Sequence, residues 1–407
     1  MQLPQSTTQF TGGTRSTPGI RPEGVEGLLG TGLQIHAVYL HVPFCRHRCH
    51  YCDFYTLAGR DDSMEAYVDR AVDEMRISSP RFQSPVSSVF FGGGTPTLLP
   101  PGLLGKLMDG VSRYMPLADD LEWTVEANPE TVSEEIADVL ASHGATRVSL
   151  GAQSFHESLL ENLERRHDPA SVGRSVSFLQ AAGIRHFNID LIYAIPGQTM
   201  EDWVEDLDVI VSMDVEHASC YGLVYEQGTP LTRRRDRGLV EPIDEELEAS
   251  MHCMAREVLG RAGMRQYEIS NWARPGFECR HNLAYWNNRN WWPIGPGASG
   301  HVDGLRWKNV PRLSSYVDSA GSPAITTIEQ LDDDVIAGES FMLGLRLMEG
   351  MPEDRVEALL SHGAKGDQRR RALERHLEGG LLERVQGHLR LSRDGIIQAD
   401  TVLVDLL

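Results

Sequence analysis

Six apolar, strand-like runs recur along the first half of the chain, with helical patterns between them. The runs are "HAVYLHVPF" (36–44), "SSVFFGGGTP" (87–96), "LEWTVEANP" (121–129), "TRVSLGAQSF" (146–155), "HFNIDLIYAIPG" (186–197) and "HASCYGLVY" (217–225). Between them, "MEAYVDRAVDEMRI" carries apolar residues at three and four spacing. "SEEIADVLASHG" opens on a capping serine and ends in glycine, "PASVGRSVSFLQAAG" also ends in glycine, and "MEDWVEDLDVIVSM" is a further helical pattern. Strand, helix, strand, repeated, reads as parallel βαβ units. Six such strands suit a partial (β/α)6 barrel in an α/β chain better than a closed eight-stranded one, and a doubly wound sheet is the competing architecture.

Chemistry in parallel α/β folds gathers where strands end at their C-termini. Those ends carry unusual residues here. The first strand runs into Cys45, Cys49 and Cys52, and the second into Gly92-Gly93-Gly94-Thr95. The third ends near Glu126 and Asn128, the fourth delivers Gln153 and Ser154, and the fifth delivers Asp190 and Tyr193.

The three cysteines in "FCRHRCHYCDF" are spaced C-x3-C-x2-C and make up half of the chain's six. Zinc usually takes four protein ligands, often as paired C-x2-C units. A redox pair at Cys49 and Cys52 leaves Cys45 idle. Three unrelated buried thiols would be a poor coincidence over so few positions. An iron–sulfur cluster held by three thiolates keeps one iron open for a small molecule.

Composition narrows the setting. Six cysteines in 407 residues do not make a disulfide scaffold, so a reducing, cytoplasmic location is expected. With 58 acidic against 38 basic residues, the formal charge of −20 argues against broad nucleic-acid or membrane binding. Residues 1–34 are rich in Gly, Thr, Pro, Ser and Gln and read as a tail, mobile over its first 30 or so positions. A core over 35–240 and a C-terminal domain over 241–407 follow. In the latter, "GLLERVQGHLRLSRDG" reads as strand, turn and strand after a helix, a small α+β, winged-helix-like unit.

The cysteine spacing on the loop after the first strand resembles that of the radical S-adenosylmethionine superfamily. Within it, "VYLHVPFCRHRCHYCDF", "FFGGGTPTLL", "TVEANPET", "VSLGAQSF", "LERRH", "NIDLIYAIPGQT" and "HNLAYWNN" resemble the oxygen-independent coproporphyrinogen III oxidase group, over about residues 35–400. The resemblance implies a TIM-like partial barrel, a 4Fe–4S cluster on Cys45, Cys49 and Cys52, S-adenosyl-L-methionine on the open iron, and an electron donor. It places Tyr39 near the cofactor, Tyr51 beside the adenine, and Gly93, Gly94 and Thr95 at the methionine end. There, backbone N–H groups of a glycine-rich turn can hold a carboxylate. Glu126, Gln153, Arg165 and Asp190 match polar residues around methionine and ribose, and Val224 matches a backbone contact to adenine by position alone.

The sequence departs from the oxidase pattern where Phe54 replaces a further cysteine. With "HNLAYW" and a short N-terminal tail, that departure is similar to the heme-chaperone branch of the group. The branch implies heme as ligand, an acceptor protein, with membrane-bound heme proteins among the acceptors contacted peripherally, and no coproporphyrinogen oxidase activity. His281 is the expected heme ligand or its positioner, with Trp286, Trp291, Trp292 and Trp307 as an aromatic wall; packing under the barrel is the alternative. Oxidase activity, or radical chemistry on another substrate, are the competing functions.

Overall fold

The computed structural model describes residues 24–25 and 27–407. Most of the expected mobile tail therefore lies outside the described residues. Its last part does not behave as a tail. Leu33 bridges Phe82 in parallel, the Arg81 guanidinium donates to the Leu29 carbonyl at 2.6 Å, and Val25 is buried. The boundary expected at 34 is corrected accordingly: docked apolar residues precede it.

All six expected strands form. They are β1 (Ala37–Val42), β2 (Val86–Gly93), β3 (Leu117–Ala127), β4 (Arg147–Gln153), β5 (His186–Tyr193) and β6 (His217–Gly222). They lie side by side in chain order and every neighbouring pair is parallel. Sequential order is that of a barrel wall. A doubly wound sheet reverses direction part-way across, so that competitor is excluded.

Helices α1 (Met64–Ser78), α2 (Pro101–Tyr114), α3 (Glu134–Ser142), α4 (Ala170–Ala182) and α5 (Met200–Ser212) cover the outside. Their ends follow from local chemistry. Ser133 accepts from the Ile136 N–H at the start of α3. Thr199 and Asp202 form a reciprocal capping box on α5. The sequence reading does not anticipate α2, whose Gly102, Gly105 and Gly110 dilute its apolar stripe. A Cβ on Gly110 would stand 2.8 Å from Val72 Cγ2, so glycine there lets α2 lie close on α1.

Strand alternation separates two interiors. Val38, Leu40 and Val42 of β1 point to the main hydrophobic core under the helices. Tyr39 of β1 and Phe90 of β2 belong to a separate small cluster on the inner face. That face is unusually polar: Ser88, Thr124, Ser149, Asn188, His217 and Ser219 are all buried along it.

The sheet does not stop at residue 240. Beyond helix α6 (Glu245–Arg261), strands β7 (Arg265–Glu268) and β8 (Asn271–Ala273) extend the β6 edge. After helix α7 (Arg280–Trp286), strands β9 (Trp291–Ile294), β10 (Ser299–Val302), β11 (Leu305–Asn309) and β12 (Ile325–Gln330) extend the β1 edge. Among the described residues this makes one sheet of twelve strands. The expected boundary at 240 is thus corrected. A second core begins at Phe341, at the end of α8 (Asp333–Gly344), and runs to Leu406. It packs α9 (Glu353–Leu360) and α10 (Gly366–Glu378) on a three-stranded sheet of β13 (Met351–Pro352), β14 (Leu382–Val385) and β15 (His388–Leu391). The expected hairpin is β14–β15, turned by Gln386 and Gly387, both at positive φ. Among the described residues no helix is long and apolar enough to cross a membrane.

Candidate functional site

The cysteine loop leaves β1 at its C-terminal end. Phe44–Cys45 pairs in parallel with Leu57–Ala58, which closes the loop at its base. Inside it, the Cys52 N–H donates to the Cys49 carbonyl at 3.2 Å, and Arg48 donates to the Cys52 carbonyl. Both flanks are tied down: the His50 N–H reaches the Leu163 carbonyl, and the Leu231 N–H reaches the His50 carbonyl at 3.0 Å. All three thiols are free and partly buried. Burial pushes the Cys45 thiol up to about 11 and the Cys52 thiol up to about 12. A thiolate at either position therefore needs a strong cation against it, and iron would supply one. Among the described residues no group of three or more His, Cys, Asp or Glu closes on one metal ion.

Arg165 enters from the loop after β4. It donates to Cys49 Sγ at 3.9 Å and to the Gly151 carbonyl. Its Nε is buried with no hydrogen-bond partner, so the guanidinium keeps capacity for an incoming anion. Gln153 sits at φ +65° where the β4–β5 register shifts between Gly151 and Gln153. That bulge re-aims the strand end toward Arg165.

The glycine turn behaves differently from the expectation. Its N–H groups are already used. Gly93 donates to Glu126 Oε2 at 3.0 Å, Gly94 to the Val42 carbonyl and Thr95 to the Phe44 carbonyl, each at 2.7 Å. The turn therefore does not present free N–H donors to a carboxylate. Its glycines serve close approach: a Cβ on Gly94 would meet the Phe44 carbonyl at 2.5 Å. The Thr95 hydroxyl lies 3.7 Å from Cys45 Sγ, joining this turn to the cysteine loop.

Asp190 is fixed from both sides. Ser149 donates to Oδ2 at 2.9 Å, and Asn188 donates to Oδ1 at 2.8 Å. Burial, and then the nearby Glu126, raise its pKa. Such a pair of neighbouring acids favours hydroxyl or ammonium donors beside it. The His41 Nε2–H donates to the Tyr55 carbonyl at 2.8 Å, so Tyr39 donates its hydroxyl to Nδ1 at 3.1 Å. Tyr51 packs on a small apolar cluster of Leu159, Leu163, Ile192, Ile195, Leu223 and Leu231. Val224 follows that cluster, two residues past β6, with its side chain 61% exposed.

The structure thus brings Cys45, Cys49, Cys52, Thr95, Gln153 and Arg165 to one end of the barrel, with Gly93, Glu126 and Asp190 beside them. His41, Ser149 and Asn188 were missed by the sequence reading. Period-2 alternation finds them: each lies two or four positions from an anticipated residue on the same strand.

His281 is elsewhere. It sits on α7, which runs under the barrel at the opposite end of the strands. Its Nδ1 lies 3.1 Å from Ser88 Oγ and its Nε2 3.1 Å from the Tyr285 hydroxyl. The ring is 1% exposed, stacked on Phe90. Burial lowers its pKa to about 3. Both nitrogens are partnered and the ring is packed under the barrel, so a heme ligand here would first have to give up one of these bonds. The aromatic wall is likewise core. Trp292 packs edge-on to Phe82 and Trp307, and Arg346 lies over the buried Trp286 ring at 4.6 Å.

A six-stranded parallel barrel wall with a C-x3-C-x2-C loop at its first strand end defines a radical S-adenosylmethionine protein. Residues 39–210 match the model of the Radical SAM superfamily. Over 394 residues, 95% of this chain and 98% of the relative, the sequence is 38% identical to heme chaperone HemW of Mycobacterium tuberculosis. It is 32% identical to heme chaperone HemW of Escherichia coli, over 90% of this chain and 97% of that one. The chain belongs to the HemW heme chaperone family. In fold it is similar to the Escherichia coli coproporphyrinogen III oxidase HemN, with a TM-score of 0.79, 18% identity and coverage of 92% of this chain and 90% of that one.

Proposed function

We propose that this chain is a heme chaperone that holds a 4Fe–4S cluster and S-adenosylmethionine at one end of its barrel, binds heme, and passes it to an acceptor protein. The observation that carries this reading is the near full-length similarity to HemW chaperones. Cys45, Cys49 and Cys52 would hold the cluster, leaving one iron for the methionine amino and carboxylate groups. When bound and reduced, the pair supplies one-electron chemistry at the sulfonium. The chain's own residues set the pocket around it. Arg165 neutralises negative charge between Cys49 and the incoming carboxylate, Asp190 and Glu126 accept from hydroxyl or ammonium groups, and Tyr51 with the Leu223–Val224 segment flanks the adenine position. The acceptor proteins, membrane-bound heme proteins among them, and the electron donor belong to the same proposal, as does a cytoplasmic location.

Coproporphyrinogen III oxidation is the second reading, favoured by the fold shared with HemN. Phe54 stands against it, at the position where the resemblance places a fourth cysteine. The test uses the anaerobically reconstituted full chain. Saturable heme binding, and no conversion of coproporphyrinogen III with S-adenosylmethionine and a reductant, are expected. Turnover of coproporphyrinogen III would overturn the chaperone reading. Cys45→Ala, Cys49→Ala and Cys52→Ala should each lose cluster iron and sulfide; retention in any one would remove that ligand.

A further inference from the structure

At the floor of the barrel, two guanidinium groups repel each other with no carboxylate bridging them. Arg289 follows α7 by three positions, just before β9, and is exposed. Among the described residues its side chain enters no hydrogen bond and no ion pair. Arg355 stands half-buried in the first turn of α9, and its Nη2 donates to the Asn287 carbonyl at 3.4 Å. Burial, and then the Arg289 charge, lower its pKa. Arg147, Arg165 and Arg306, each beside a carboxylate or a thiol, shift the opposite way. His36, just before β1, completes the group. Its Nδ1 is buried without a hydrogen-bond partner, and burial, then Arg289, lower its pKa as well.

The acids of this neighbourhood are engaged elsewhere. Glu329 and Glu339 both pair with Arg306, at 2.6 and 2.5 Å, and Glu353 pairs with Arg384 at 2.8 Å. Asp303 accepts from the Asn290 amide at 2.8 Å. Asp354 is exposed and accepts from the Arg355 backbone N–H at 2.8 Å. The neighbourhood has no excess of cations; its peculiarity is a guanidinium pair that none of these acids bridges. Cations at a helix C-terminus suit its dipole, and Arg355 serves α7 in that way through Asn287. That bond leaves Arg289 without a structural task.

The pair borders the part of α7 that solvent reaches. His281, Asn282, Ala284, Tyr285 and Trp286 are buried, whereas Leu283 and Asn287, one turn apart, are partly exposed. His36 ties the pair to the helix start: its carbonyl accepts from the Ser88 N–H at 3.3 Å, and Ser88 Oγ lies against His281 Nδ1. Since α7 is seven residues long, about 10 Å, His281 and the arginines stand at its two ends.

Unbridged guanidinium groups complement a ligand that brings carboxylates of its own, because arginine binds carboxylate bidentately. We propose that Arg289 and Arg355, with His36 at their edge, form a carboxylate site at the C-terminal end of α7 that takes the propionates of heme. The proposal rests on the heme-chaperone reading and deepens it by naming what holds the acidic edge of the ligand. It is independent of which residue meets the iron, so metal-free protoporphyrin IX should depend on the same pair.

Hemin is titrated by absorbance, and protoporphyrin IX and its dimethyl ester by fluorescence, into the anaerobically reconstituted full chain and its variants. Urea denaturation and cluster iron are measured in each. Arg289→Glu should bind both diacids about tenfold or more weakly, as loss of a charge-assisted contact implies, with wild-type stability. Arg289→Lys keeps the charge without the fork and should fall between. Arg355→Gln should lose porphyrin affinity and some stability together. The dimethyl ester should bind wild type and Arg289→Glu alike, and Arg237→Glu, exposed at the cluster end, should match wild type. Unchanged affinity for both diacids in Arg289→Glu would overturn the site and leave the chaperone reading standing. An equal loss for the dimethyl ester, or in Arg237→Glu, would overturn it too, by assigning the effect to the ring or to net charge. Intact porphyrin affinity in Arg355→Gln, with stability alone reduced, would make Arg355 a cap of α7 and overturn the paired site. Absence of saturable binding in the wild type would overturn both readings.

Discussion

Gly93 and Gly183 share a φ of +103° and differ in what surrounds them. Gly183 ends α4 in the left-handed region, and a Cβ there would meet nothing within 4 Å. A Cβ on Gly93 would overlap the His41 ring. That ring is fully buried and held at both nitrogens, by the Tyr55 carbonyl at 2.8 Å and the Tyr39 hydroxyl at 3.1 Å. It has no rotamer to retreat to without breaking one bond. Alanine in the left-handed region costs about 1–2 kcal/mol, which is all that Gly183→Ala should show. Gly93→Ala should show that cost plus about 1–3 kcal/mol of overpacking. Urea titration of the cluster-free chain under anaerobic conditions measures both, with the denaturant slope checked for constancy. Both variants carry the cost of a positive φ, and only Gly93→Ala carries a side-chain clash on top of it. Equal destabilisation, within about 0.5 kcal/mol, would refute the claim that Gly93 is required for space. In the reconstituted chain, Gly93→Ala should also weaken S-adenosylmethionine binding by displacing His41 and Tyr39, whereas Gly183→Ala should not.

Two further outcomes follow from buried ionisable groups. His281 is held neutral with its pKa lowered to about 3, against 6.5 for the unperturbed imidazole. The unfolded chain therefore binds the extra proton first, and stability falls as pH drops below about 6.5, by up to about 1.4 kcal/mol per unit for this one group. Denaturation at pH 7, 6 and 5 should show that slope reduced in His281→Asn; an unchanged slope would assign the acid sensitivity to other groups. Arg346 lies 3.7 Å from the fully buried Glu268, whose other oxygen accepts from the Ser270 N–H and Asn271. Arg346→Ala should cost about 3–5 kcal/mol by leaving a buried carboxylate without its cation. Adding Glu268→Gln should recover part of it, and no recovery would point to lost packing on Trp286 instead.

Strand order and helix ends were legible because each rests on local chemistry. β1–β6 each carry buried apolar residues on the face toward the helices, and α3, α4 and α5 carry serine, glycine and threonine caps at their ends. The cysteine loop was legible because three ligands of one type at fixed spacing have few uses. Other features depend on contacts between distant parts of the chain. Strands β9–β12 extend the β1 edge only because α7 passes beneath the barrel, and nothing in residues 291–330 alone says which edge they join. The same is true of the glycine turn. Three glycines suggest open N–H groups, but Glu126, from another strand, accepts from Gly93. His281 depends on the fold in the same way. The sequence leaves a heme ligand and packing under the barrel both open, and only the fold shows Ser88 and Tyr285 at its two nitrogens.

The H-N-x-x-Y-W stretch acquires a physical reason once the inner face of the barrel is followed. Asn188 donates to Asp190 and accepts, through Oδ1, from His217 Nδ1 at 2.6 Å. With that nitrogen protonated, His217 Nε2 must accept, and the Tyr267 hydroxyl donates to it at 2.9 Å. Tyr267 in turn accepts from Asn282 of α7 at 3.4 Å, while the neighbouring His281 N–H and Cys279 thiol both donate to Glu122. A buried polar chain of this kind is stable only when every member is partnered. Burial lowers the His217 pKa well below its usual range, so the ring stays neutral and the donor order is fixed along the chain. The floor helix therefore determines which way Asn188 faces, and Asn188 determines which Asp190 oxygen is occupied from below. By this path, residues far from the cysteine loop set the orientation of a carboxylate beside it, which gives the stretch a task that requires no exposure to a ligand.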